Sequence, residues 1–162
     1  MKDLIAKLSS YNLFNNLFPG VIFVAITEKM TSYSFLQNDI VVGFFVYYFI
    51  GLVISRVGSL VIEPLLQKVK FLKFVDYSDY KSACKSDTKL ELLSEINNSY
   101  RAICSMLALL LVLKFYEWIT NFFPLLKNYS ITILVFALFI VFLYSYKKQT
   151  GYVVKSVNCA KK

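Results

Sequence analysis

Arg56 and Glu63 stand within or beside a long apolar run, and Glu95 and Arg101 stand at the entrance to another. Opposite charges in such places do one kind of chemistry well. They pair, because an unpaired charge in a medium of low dielectric is costly. Asn97 and Asn98 add hydrogen-bonding capacity to the same set. Cross-pairing of Glu63 or Glu95 with Arg101 or Arg56 gives a polar clamp between two segments, with Asn98 at the same level. Snorkelling of these side chains to lipid headgroups is the alternative. Lys114 and Glu117, one helical turn apart, form a second charged set. They can bond each other, reach Glu28 or Asp39, line a pore, or snorkel, and snorkelling is the simplest account.

Acid–base catalysis finds no footing. The chain has no histidine, and no P-loop, HExxH or nucleophile elbow. Asp76 and Asp79 lie without partner groups, and Ser55 has no lysine at helical spacing. Cys84, Cys104 and Cys159 keep no motif spacing, so a Cys/His zinc site is excluded and reduced thiols are expected. No enzymatic activity, cofactor or metal is expected. A third pattern is a row of small residues, Gly51, Ser55, Gly58 and Ser59, near one helix face. A partner helix can approach such a row closely. The row leaves open whether that helix belongs to the same chain or to a second subunit.

The elements that must carry these residues follow from composition. Hydrophobic residues make up 57 % of the 162 residues, above the usual share of roughly 45–50 %. Charged residues make up 17 %, against about 25 %. A chain this short cannot bury 15 Phe and 12 Tyr in its own core; in lipid it need not. The reading is an all-α protein, an integral membrane four-helix bundle forming a single transmembrane domain over 1–162. A crossing helix needs about 20 residues, and four stretches qualify: Tyr11–Thr27, Ile40–Val61, Ala102–Ile119 and Ile131–Tyr146. The first is the weakest, interrupted by Asn12, Asn15, Asn16 and Pro19-Gly20. A kink or break is expected at Pro19, and a re-entrant segment is the alternative to a full span. Ahead of it, Leu4, Ile5 and Leu8 suit a short interfacial helix over Lys2–Ser9.

Lysines set the orientation. Lys2 and Lys7 precede the first span, six lysines from Lys68 to Lys89 lie between the second and third, and five from Lys147 to Lys162 follow the fourth. The two opposite loops hold Lys29 and Lys127. Both termini and the loop 67–100 are therefore expected in the cytoplasm. The net charge of +8 is matched to an anionic inner leaflet, and no specific nucleic acid is expected. Neither a signal peptide nor a prenylation box is recognisable. Within the loop, Lys68–Phe74 is expected to continue the second helix along the surface, Asp76–Tyr80 to turn, and Thr88–Ser99 to run helically into the third span.

Three segments carry a resemblance: Tyr11-Asn12-Leu13-Phe14-Asn15-Asn16-Leu17-Phe18-Pro19-Gly20, the run from Tyr48 through Gly51, Ser55, Arg56, Gly58 and Ser59 to Glu63-Pro64, and Leu93-Ser94-Glu95-Ile96-Asn97-Asn98-Ser99-Tyr100-Arg101. They resemble small four-helix membrane proteins of bacterial anti-phage defence islands, the membrane subunit of the Kiwa system among them. The similarity covers most of the chain. It implies a multi-pass protein of the bacterial cytoplasmic (inner) membrane with no catalytic residues. Such a protein acts as a homo-oligomeric sensor or anchor for a cytoplasmic effector. Here the second span mediates oligomerisation and the loop contacts the effector, although no effector-binding motif is visible. An oligomeric channel or pore-forming effector that depolarises the membrane is the alternative. Lys114, Glu117 or Arg56 then faces the axis of a ring. A general membrane scaffold is a third option.

Overall fold

The structure, a computed structural model, describes residues 2–87 and 89–160, without the side chains of residues 2–12, 14, 85 and 160. The interfacial face expected from Leu4, Ile5 and Leu8 lies outside the described side chains. Among the described residues every regular element is helical. They are α1 Lys2–Met30, α2 Ile40–Val57, a π-helical turn Gly58–Ile62, α3 Glu63–Lys68, α4 Tyr77–Ser86, α5 Lys89–Phe122, α6 Pro124–Asn128 and α7 Ser130–Ala160. The α2 helix, the π turn and α3 form one continuous rod. Three rods, Ile40–Lys68, Lys89–Phe122 and Ser130–Cys159, are long and apolar enough to cross a membrane. The α1 helix is not among them; Asn12, Asn15 and Asn16 interrupt its apolar run. It also does not break at Pro19. That ring is buried, and packing holds the helix together where a hydrogen bond is lost.

Local chemistry fixes the ends. Asp39 caps α2, its carboxylate accepting the Val42 N–H at 2.9 Å. The helix carrying Lys68 stops there instead of continuing along Lys68–Phe74. The N–H of Phe71 bonds Leu66 O and that of Lys70 bonds Gln67 O, both at 2.9 Å. Lys70 takes φ 60°. This is a Schellman stop with lysine in the left-handed position that glycine usually fills. Asp76–Tyr80 is mostly helix rather than a turn, because it opens α4. The Asp87 carboxylate accepts the Lys89 N–H at 2.9 Å at the start of α5. Phe123, before Pro124, leaves helical geometry at φ −123° and ψ 82° and separates α5 from α6.

Glycine decides how the first two long helices meet. A Cβ on Gly51 would lie 1.6 Å from the Asn16 carbonyl oxygen, and one on Gly20 would lie 1.9 Å from that of Tyr47. The two backbones are in direct contact. The paired numbers run in opposite directions, so α1 and α2 are antiparallel. The α5 helix completes the core, in which Phe23, Ile54, Met106 and Leu110 are buried together. It runs antiparallel to α2, with the Ser105 hydroxyl donating to Ile54 O at 2.8 Å. It runs parallel to α1, with the Ser99 hydroxyl donating to Asn15 Oδ1 at 2.9 Å. The α7 helix is peripheral: its apolar stretch contributes no buried residue. It meets the rest through the stack of Phe142 on Phe49, with ring centroids 5.8 Å apart, and through the polar contacts described below.

Gly51→Ala and Gly20→Ala must force α1 and α2 apart, at a cost of about 1–3 kcal/mol each. A Cβ on Gly151 would meet nothing within 4 Å, so Gly151→Ala should leave stability unchanged or raise it by about 0.5–1 kcal/mol. Unfolding in mixed micelles, followed by circular dichroism, checks the contrast.

Candidate functional site

Pro64 sets the site in motion. The N–H of Glu63 bonds Gly58 O, five residues back, as a π turn requires. The next residue in that register is Pro64, which has no N–H. The carbonyl of Ser59 therefore lacks its partner within the rod. Lys148, arriving from α7, supplies one. Its Nζ donates to Ser59 O at 2.7 Å, to Ser59 Oγ at 2.8 Å and to Glu63 Oε1 at 3.3 Å. From the other side, Arg101 Nη1 of α5 donates to Glu63 Oε2 at 2.5 Å. One carboxylate thus holds cations from two helices. Only 13 % of the Glu63 side chain is exposed, against 23 % for Arg101 and 27 % for Lys148. Screening by water is weak at such exposures, and removing one partner strands the others. Arg101 Nε is buried without a hydrogen-bond partner, so Glu63 is its main anchor.

The other residues singled out from the sequence fall around this hub. Of the row of small residues, Gly51 meets α1, while Gly58 meets α5, where a Cβ would lie 3.2 Å from both Arg101 Cγ and Ser105 Cβ. Ser59 meets α7 through Lys148. Ser55 is half-buried, and its carbonyl accepts the Gly58 N–H. The row therefore serves three contacts within one chain. Arg56 enters no ion pair among the described residues. It lines a notch with Ser59, Leu60, Ser145, Lys148, Gln149 and Tyr152. Asn98 is half-buried on α5. So is Glu95, whose backbone carbonyl accepts the Ser99 hydroxyl at 3.1 Å. Lys148 is the member that residue types alone do not single out; by sequence it is one of the lysines that set orientation. The pair Glu63-Pro64 at the end of a helix is the signal that points to it.

Lys114 and Glu117 lie at the opposite end of α5 and do different work. Lys114 Nζ donates to Glu117 Oε2 at 2.7 Å and to Met30 O at 2.6 Å, and Glu117 Oε1 accepts the Ser32 N–H at 2.6 Å. Met30 ends α1, so the lysine satisfies a carbonyl that a helix C-terminus leaves orphaned and favours cations. The set fastens α1 to α5. Next to it Tyr116 bridges Leu126 O at 3.3 Å and Ser130 Oγ at 2.8 Å, pinning the α6 turn.

At the Glu63 end, α4 folds back on α7. The Tyr77 and Ser156 hydroxyls are 2.5 Å apart, and Lys81 Nζ donates to Ser156 O at 3.2 Å. Tyr77 also lies 5.9 Å from Tyr152, ring to ring. The segment between α3 and α5 is thereby tied to the end of α7. No protein-family model, curated protein or solved structure matches this chain.

Glu63→Gln should destabilise the chain by about 3 kcal/mol, since it leaves two cations without their shared anion. In a double-mutant cycle with Arg101→Met the two losses should fail to add by about 0.5–3 kcal/mol. Equilibrium unfolding of the four variants measures both quantities.

Proposed function

We propose that this chain is a multi-pass protein of the bacterial cytoplasmic membrane that crosses four times, with both termini and the segment 67–100 in the cytoplasm. In this reading it is a homo-oligomeric, non-enzymatic sensor or anchor that couples the membrane to a cytoplasmic effector in anti-phage defence. The observation that carries the coupling is Glu63, which holds α5 and α7 to the last turns of the α3 rod. The α3 and α5 helices flank the segment 67–100, and Glu63 links both of them to α7. Contacts between α4 and α7 add a second tie.

Helix directions support the topology. The α1 and α5 helices run one way and α2 and α7 the other. The segment between α3 and α5 therefore shares one end of the molecule with the start of α1 and the end of α7. Lys68, Lys70, Lys73, Lys81, Lys89, Lys147 and Lys155 gather there, whereas Lys29, Lys114 and Lys127 lie toward the other end. That asymmetry favours a cytoplasmic location. The apolar stretch of α7, which the chain leaves uncovered, is available to lipid or to a second copy. Lys114 and Glu117, two pore-lining candidates of the channel alternative, hydrogen-bond Met30 O and the Ser32 N–H, which favours a structural role for them.

A fluorescent protein fused after Lys162 should fluoresce, and a cysteine at Gln37 should react with an impermeant maleimide in intact cells. The opposite pattern ends the topology. Expressed by itself, the chain should leave a potential-sensitive dye unchanged; depolarisation by the lone chain supports the channel instead.

A further inference from the structure

A notch beside the Glu63 hub is lined by Arg56, Lys148, Ser145 and Gln149. It is an open notch between the π turn and α7 that measures about 220 Å³ with its mouth included. Its interior has room for about one water-sized group, so a tetrahedral anion can place one oxygen inside and the rest at the mouth. Arg56 lines the notch and has no carboxylate partner among the described residues. The Ser145 hydroxyl, also on its wall, is buried without a hydrogen-bond partner. Arg56 and Gln149 bring donors to the wall, and an oxygen entering beside Ser145 would supply the acceptor that its hydroxyl lacks.

Charge points the same way. The protons of Lys148 go to Ser59 O, Ser59 Oγ and Glu63, so Lys148 contributes field at the notch rather than a hydrogen bond. Glu63 opposes an anion there, but Arg101 already holds it at 2.5 Å. Arg56 and Lys148 then outweigh the remaining negative charge. Leu60 forms part of the wall, and the half-buried Val141 and Leu138 lie one and two turns before Ser145 on the same face of α7. A polar seat opening onto a greasy helix fits a phosphate that carries acyl chains.

We propose that this notch binds the phosphate of an anionic phospholipid headgroup, with Arg56 as its principal ligand and the Ser145 hydroxyl and Gln149 amide completing the seat. The inference rests on the membrane reading above. Its test uses the full chain in nanodiscs, with bound lipid counted by native mass spectrometry. Phosphatidylglycerol should be retained about fivefold better than phosphatidylcholine, the preference that one basic residue supplies. Arg56→Gln should abolish the preference and Arg56→Lys should keep part of it. Lys148 and Glu63 stay in place in both variants, so the fold is preserved, and an unchanged unfolding curve checks this. Millimolar inorganic phosphate should not displace the lipid; if it does, the seat serves free phosphate and the lipid assignment is overturned. Equal retention of the two lipids, or a preference that survives Arg56→Gln, overturns the seat itself. Failure to insert into phosphatidylcholine nanodiscs overturns the membrane reading and the seat with it.

Discussion

The carbonyl of Ser59 has no hydrogen-bond donor at its expected place in its own helix, because that place is filled by Pro64. A peptide group in apolar surroundings cannot remain so without a penalty of about 1–3 kcal/mol. The solution is an ammonium from another helix: Lys148 reaches across from α7 and bonds Ser59 O at 2.7 Å. That ammonium in turn needs an anion, which Glu63 provides, and Glu63 also serves Arg101. One missing N–H thus leads to three helices joined at a single point.

Packing explains why the joint matters. In lipid, apolar surface gives no hydrophobic drive for helices to associate, so close van der Waals contact and polar bonds must do it. The α1, α2 and α5 helices have the first: backbone contact at Gly20 and Gly51, and a shared core. The α7 helix has little of either along its apolar stretch. Its position depends on the Phe49–Phe142 stack, on Lys148 and on the contacts of Ser156 with α4. The molecule therefore divides into a tight trio and a looser fourth helix, held near one end by Lys148 and Ser156 and at the other by Tyr116 on Ser130.

Much of this is legible from residue types. The three strongest apolar runs fall within the three rods apolar enough to cross a membrane, since long uncharged stretches leave few other options. The pairing of Glu63 with Arg101 is among the combinations that the charges allow, as opposite charges at one level must meet. The spacing of small residues says that backbones approach, yet it does not say that Gly51 and Gly58 face different helices. Pairing partners of a helix face are set by tertiary geometry, and the π turn rotates that face midway. Lys148 is hidden for a related reason: its value depends on a vacancy at Ser59 that only the π register creates. The Schellman stop at Lys70 is hidden too, because lysine is a poor advertisement for left-handed backbone.

The central claim is that Lys148 is held by the carbonyl that Pro64 leaves unpartnered. Stability of Lys148→Met measured in the natural and Pro64→Ala backgrounds tests it most directly. With alanine at position 64, a backbone N–H becomes available to that carbonyl, and the ammonium loses part of its purpose. The account predicts that Lys148→Met costs about 1 kcal/mol less, or better, in the Pro64→Ala background. An identical loss in both backgrounds would contradict it.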